Sequence, residues 1–177
     1  MSTTPPRDRD RRGRALNARP RDGLGRPLPR GSVGVERVPE DLVLAPVESL
    51  VEAQRLLDLG RPFHAHEVLE GTWKAAPQHE RDLWQGLAQL AVGLTHLARG
   101  NRTGAVTLLR RGAARIEPYS HPNSEQHHDQ HDDQTDDRPY DIDVPALVSF
   151  ARGTADALEA GAPTETQVDV PRLRLKA

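Results

Sequence analysis

Two short sets of residues could do chemistry together. His66, Glu67 and Glu70 fall within about one helical turn in the run FHAHEVLEGTW, and Gln85, Gln89 and His96 recur further along the chain. On a helix His66 and Glu70 share a face, Glu67 lies beside Glu70 and Trp73 beside His66. Imidazole and carboxylate groups from facing helices can hold a divalent transition metal such as zinc, manganese or iron. The pattern approaches the helical HExxH arrangement but ends in glutamate, so the zinc motif is incomplete. The same groups could do acid–base work, with Glu67 or Glu70 raised in pKa by burial and His96 as a neighbour. They could equally form an internal hydrogen-bonded network that fixes helix register without any ligand. The incomplete motif and the shortage of bridging carboxylates favour the network.

These residues need two antiparallel helices to meet. Pro62 opens one helix, at a position where its missing N–H costs nothing, and Pro77 closes it. Its inner side is Val68, Leu69 and Thr72. The next helix is read from about Gln78 to Arg99 and stops at Gly100. From Leu83 to Ala98 it carries no charged residue, whereas a surface helix places charges on its wet side. Leu83, Leu87, Leu90, Leu94 and Leu97 fall within roughly 80° of one another, and Gln85, Gln89 and His96 form a stripe about 40° wide opposite them. Such a helix is central and covered on more than one side. Asn101 suits the N-cap of the following helix and Gly100 the left-handed end of this one. The candidate polar set is therefore His66, Glu67, Glu70, Trp73, Gln85, Gln89, His96 and Asn101. Its catalytic candidates are Glu67, Glu70 and His96, and its metal candidates His66, Glu70 and His96.

Three further helices complete an all-α reading: a compact array of about five helices, antiparallel between neighbours because the links are short. The first starts at Pro46 and ends at Gly60, with Val47, Leu50, Val51, Ala53 and Leu57 as its buried stripe. The fourth runs to about Glu117 and buries Ala105, Val106, Leu108, Leu109, Ala113 and Ile116. Its Arg102, Arg110, Arg111 and Arg115 read as a solvated face. The fifth begins at Pro145 and turns Leu147, Phe150, Ala151 and Leu158 inward. Trp73 and Trp84 read as core anchors.

The rest of the 177-residue chain is polar. Residues 1–40 are rich in arginine, glycine and proline, lack repeated apolar spacing and read as a disordered leader, since so little apolar surface cannot offset ordering entropy. The helical domain spans 41–160, with a flexible insert at 121–138, and 161–177 reads as a loose tail. Within the insert, His127, His128 and His131 beside Asp129, Asp132 and Asp133 could catch a metal, though a mobile loop lacks the fixed geometry of a tuned site. The net charge of −2 gives no global push toward nucleic acid. The absence of cysteine excludes disulfides, thiol nucleophiles and thiolate metal sites. No stretch of 18 apolar residues occurs, and the N-terminus is charged where a signal peptide is apolar. These features point to a cytoplasmic protein without a membrane span. No nucleophile elbow, phosphate loop or dinucleotide fingerprint is present.

The segments PFHAHEVLEGTWKAAP, ERDLWQGLAQLAVGLTHLARGNRTGAVTLLRRG and PYDIDVPAL together resemble the family known as domain of unknown function 309. The resemblance rests on Phe63, Ala65, His66, Glu67, Glu70 and Trp73 in the first segment. In the second it rests on Gln85, Gly86, Leu87, Gln89, Ala91, His96, Gly100, Asn101, Gly104 and Ala105. Ile142-Asp143-Val144 matches a trailing segment in which Asp141 replaces a usual glycine, and Gly71-Thr72 departs from a bulkier pair. The resemblance covers about residues 46–117 and 139–150 and implies a compact helical domain without assigning an activity.

The functional expectation is a non-catalytic binding or scaffolding module with no cofactor, whose partner is a protein or a second copy of the chain. The alternatives are a small metal-assisted or acid–base enzyme centred on the HExxE helix, using a divalent transition metal in its metal form, and nucleic-acid contact through the arginine-rich residues 1–38.

Overall fold

A computed structural model of the chain describes residues 19–35, 39, 44–120, 139–164 and 169–174. Helices α1 (Pro46–Asp58), α2 (Pro62–Ala75), α3 (Arg81–Ala98), α4 (Arg102–Ile116) and α5 (Val144–Glu159) form its body. Short 3₁₀ turns at Gln78–Glu80, Glu117–Ser120 and Pro139–Asp141 flank α3, α4 and α5. Each helix packs on the next in sequence, and α5 closes on α4 across the insert. Among the described residues there is no β-strand, only isolated bridges at Arg21–Pro27 and Ile142–Arg174. The all-α reading and the five helices hold.

α3 is the centre of the molecule. Leu83, Trp84, Leu87, Ala88, Leu90, Ala91, Leu94 and Leu97 are all buried, as the charge-free run required. Each leucine so buried contributes about 1.5–3 kcal/mol, more than a cap or surface ion pair, so apolar packing decides where this helix sits. Its contact with α4 is made through glycine. A Cβ at Gly86 would lie 2.4 Å from the Ile116 Cγ2, and one at Gly112 2.9 Å from the Gly86 carbonyl oxygen. The two backbones therefore approach more closely than any larger residue permits.

Three expectations shift. In α1 the buried face is Ser49, Leu50, Ala53 and Leu56, while Val47 and Val51 are 40% and 55% exposed. The Thr72 hydroxyl donates to Ser49 Oγ at 2.6 Å, so a polar pair between α1 and α2 turns the helix away from the stripe that counting valines suggests. In α4, Arg110 pairs with Asp156 at 2.8 Å and Glu159 at 2.5 Å, Arg115 with Asp82, and Arg102 donates to the Leu158 carbonyl. That arginine face ties α4 to α5 and α3 rather than simply being solvated. The tail read as loose is held at 169–174. Leu173 is buried, its N–H donates to Gln54 Oε1 at 2.8 Å, and Arg174 Nε donates to the Tyr140 carbonyl at 3.0 Å.

Most of the leader read as disordered (1–18, 36–38 and 40) lies outside the described residues, as does the insert at 121–138 with its histidines. Residues 19–35 are described and form an arm of turns: Asp22 Oδ1 accepts from the amides of Leu24 and Arg26 at 3.0 and 2.7 Å, and Val35 N–H donates to the Arg21 carbonyl at 2.8 Å. Composition did not anticipate this arm. Its order comes from a few turn hydrogen bonds and from the surface it lies on.

Candidate functional site

α2 begins at Pro62, buries Ala65, Val68, Leu69 and Thr72, and leaves His66, Glu67, Glu70 and Trp73 half-buried along its flank and outer side. His66 Nε2 lies 3.5 Å from Glu70 Oε2, and Glu70 Oε1 pairs with Lys74 Nζ at 2.9 Å. This is a ladder along one helix, with each group answering the next turn. Such i,i+4 pairs contribute about 0.3–0.5 kcal/mol each. Burial holds the His66 imidazole below its ordinary pKa, with Glu70 pulling it back up. His66 is therefore predominantly neutral at pH 7.

The polar stripe of α3 has different employment. His96 Nδ1 lies 2.8 Å from Asn101 Nδ2, and Asn101 Oδ1 accepts the Gly104 amide at 3.0 Å. With the amide donating, His96 Nδ1 is the acceptor and its proton sits on Nε2. A Cβ at residue 104 would meet Asn101 Nδ2 at 2.6 Å and His96 Nδ1 at 2.7 Å. The H…GNxxG spacing is thus a helix-capping device that reverses the chain between α3 and α4. Gln85 and Gln89 are half-buried, and Gln89 Oε1 is enclosed without a hydrogen-bond partner among the described residues.

The structure therefore does not join the candidate residues into one hydrogen-bonded cluster. Among the described residues, no hydrogen bond or ion pair links His66 or Glu70 to Gln85, Gln89 or His96. None gathers three or more His, Asp or Glu side chains where a metal could be held, so the His66, Glu70, His96 set does not fit one. His66 and Glu70 instead pair along α2, and His96 pairs with Asn101 at the end of α3. The trailing motif is likewise structural: Ile142 and Val144 are buried, and Asp143 Oδ1 caps α5 by accepting the Ala146 amide at 3.2 Å.

Two constellations escaped the sequence reading. At the N-terminal end of α3, Glu80 accepts from the Tyr140 hydroxyl at 2.8 Å and from Trp84 Nε1 at 3.1 Å, and the Trp84 and Tyr140 rings lie 5.5 Å apart. Burial, with the Glu80 hydrogen bond and charge, pushes the Tyr140 hydroxyl up to about 12. The Glu80–Trp84 spacing of one turn was a readable signal, but Tyr140 comes from across the insert. At the C-terminal end of α3, Arg21 and Arg99 lie over the Phe63 ring at 5.4 and 5.6 Å, and the neighbouring His64 is 1% exposed. His64, two residues before the expected histidine, is the more deeply buried of the pair. Burial pushes it down, assisted by Arg61, while the Gly23 backbone and Asp22 pull it back.

Residues 50–108 match the family model described as Domain of unknown function (DUF309). The resemblance read from the motifs is borne out over that segment. Over 64 residues the chain is also 41% identical to the Uncharacterized protein YpuF of Bacillus subtilis (strain 168), a match covering 36% of this chain and 35% of that protein. The chain thus spans about a third of that relative's length. No solved structure matches the chain. Within the matched DUF309 segment, Gly86 permits the α3–α4 crossing and the His96–Asn101–Gly104 set makes the turn after it, while Phe63 carries the arm. No described helix is long and apolar enough to cross a membrane.

Proposed function

We propose that this domain is a non-catalytic binding module. The observation that carries the reading is where its chemically capable side chains are spent: His66 on Glu70 within α2, His96 on the Asn101 cap, and Glu80 on Trp84 and Tyr140. A hydrolytic or acid–base centre needs such groups to converge on one reacting atom. The start of α2 also already serves as a docking platform, since the arm lies across Phe63 with Gly25 so close that a Cβ there would be 2.3 Å from the ring. Glu70 is the decisive residue to test, because the enzyme reading depends on it and the fold does not. Purified full-length chain is offered phosphoester, peptide and glycoside chromogenic substrates with and without added zinc or manganese. Glu70→Gln should keep the thermal midpoint within a few degrees and alter no turnover. A turnover present in the natural chain and lost in this folded variant would overturn the reading.

A further inference from the structure

Positive charge collects at one place on this slightly acidic protein. The arm brings Arg21 and Arg26 within electrostatic reach of Arg99, at the end of α3, and Arg21 shares the surroundings of His64 with Arg61, at the start of α2. Arg99 donates from Nε to the Leu24 carbonyl at 3.0 Å, and Arg21 donates to the Gly25 carbonyl, so both guanidiniums are held in place by neutral acceptors. The carboxylate among them, Asp22, has one oxygen engaged by the Leu24 and Arg26 amides. Among the described residues none of the four guanidiniums forms an ion pair. Four cations, two of them held in place, against one carboxylate is an arrangement that an anion would relieve, and burial followed by the nearby Arg26 and Arg21 charges already push Arg99 below its ordinary pKa.

We infer that Arg21, Arg26, Arg61 and Arg99 form a binding site for the phosphodiester backbone of nucleic acid, recognised without sequence preference. This deepens the binding-module reading and rests on it. Guanidinium is the side chain best matched to phosphate oxygens, through its planar fork of donors. The absence of sequence preference follows from Phe63, whose ring is occupied by two guanidiniums and Gly25 and cannot stack a base. A polymer fits better than a single phosphate because the arm leads directly back to Arg7, Arg9, Arg11, Arg12 and Arg14 in the sequence, against only Asp8 and Asp10. The described arm is thus continuous in sequence with a run of the same charge.

Fluorescence anisotropy of the full chain with a labelled single-stranded 20-mer of mixed sequence tests this. Four contacts on single-stranded DNA predict at least about 50-fold weakening between 50 and 200 mM NaCl. The double variant Arg26→Glu/Arg61→Glu, in side chains that form no hydrogen bond among the described residues, should weaken binding at least tenfold with an unchanged circular dichroism spectrum. The neutral pair Arg26→Gln/Arg61→Gln, which guards against misfolding by charge reversal, should fall between. Binding by either variant within twofold of the natural chain overturns the inference. So does natural chain that shows no affinity stronger than about 100 µM at 50 mM salt, or that binds phosphatidylserine vesicles and not DNA. Such failures leave the non-catalytic reading standing, since only a turnover dependent on Glu70 breaks that.

Discussion

At the N-terminal end of α3 one carboxylate, Glu80, is shared by two neutral donors, the Trp84 indole and the Tyr140 hydroxyl. At the C-terminal end two guanidiniums, Arg21 and Arg99, lie over one ring and donate to the carbonyls of a docked arm. Both ends of the helix are built from an aromatic ring and charged partners, yet they do opposite things. The first encloses a fully buried indole and welds the segment after the insert to the core. The second gathers like charges on a half-buried ring and, among the described residues, pairs neither guanidinium with a carboxylate. One end is a joint between the core and the segment after the insert, and the other is a cationic surface under a docked arm.

Removing the two rings tests that contrast most strongly. Trp84→Ala should destabilise the chain by about 3–5 kcal/mol in urea titrations, through lost burial and the cavity left behind. Phe63→Ala should cost less than half as much, because its ring is covered by an arm rather than by the core. Equal losses would make the arm an integral part of the core and erase the distinction. A smaller effect is expected from Tyr140→Phe, about 1–2 kcal/mol, because a hydrogen bond to a partly exposed carboxylate is lost while the ring stays. The chain has two tyrosines, so ultraviolet titration resolves them cleanly. The step near pH 12 should vanish in the variant and only the Tyr119 step remain, itself raised above its ordinary value by burial.

The finest test is that the two ends fail at opposite extremes of pH. Folded Tyr140 releases its proton near 12 and the unfolded chain near 10, so its contribution is complete below pH 10 and lost as pH rises toward 12. Folded His64 and His66 bind protons less tightly than the unfolded chain, whose histidines titrate near 6.5. On acidification the unfolded state is protonated first, so stability falls as pH drops through 6.5. His64→Asn should shallow the acid limb and leave the alkaline one unchanged. A variant that shifts both limbs would show that the ends are coupled through α3.

Much of the frame was legible in residue order. The charge-free stretch from Leu83 to Ala98 announced a central helix because uncharged polar residues are too few to cover a wet face. Pro46, Pro62, Gly100 and Asn101 marked ends because their backbone chemistry is local. The α1 stripe was misjudged because Val47 and Val51 are apolar at the right spacing while Ser49 is not, and only its bond to Thr72 reveals why a serine lies inside. The candidate site was legible as a set of residues and not as a constellation. Helical periodicity tells which side chains share a face; it does not say which partner each will reach first.

Sequence alone therefore determined the class, the helix limits and the family likeness, since these depend on propensity, capping and apolar period over a few turns. Tertiary structure alone decided what the polar groups are for. It joined Tyr140 to Glu80 across a separation of 60 residues and Arg99 to Leu24 across 75, pairings that no local pattern encodes. The employment of a charge is set by whatever the fold brings within about 3 Å of it, and that is a property of packing.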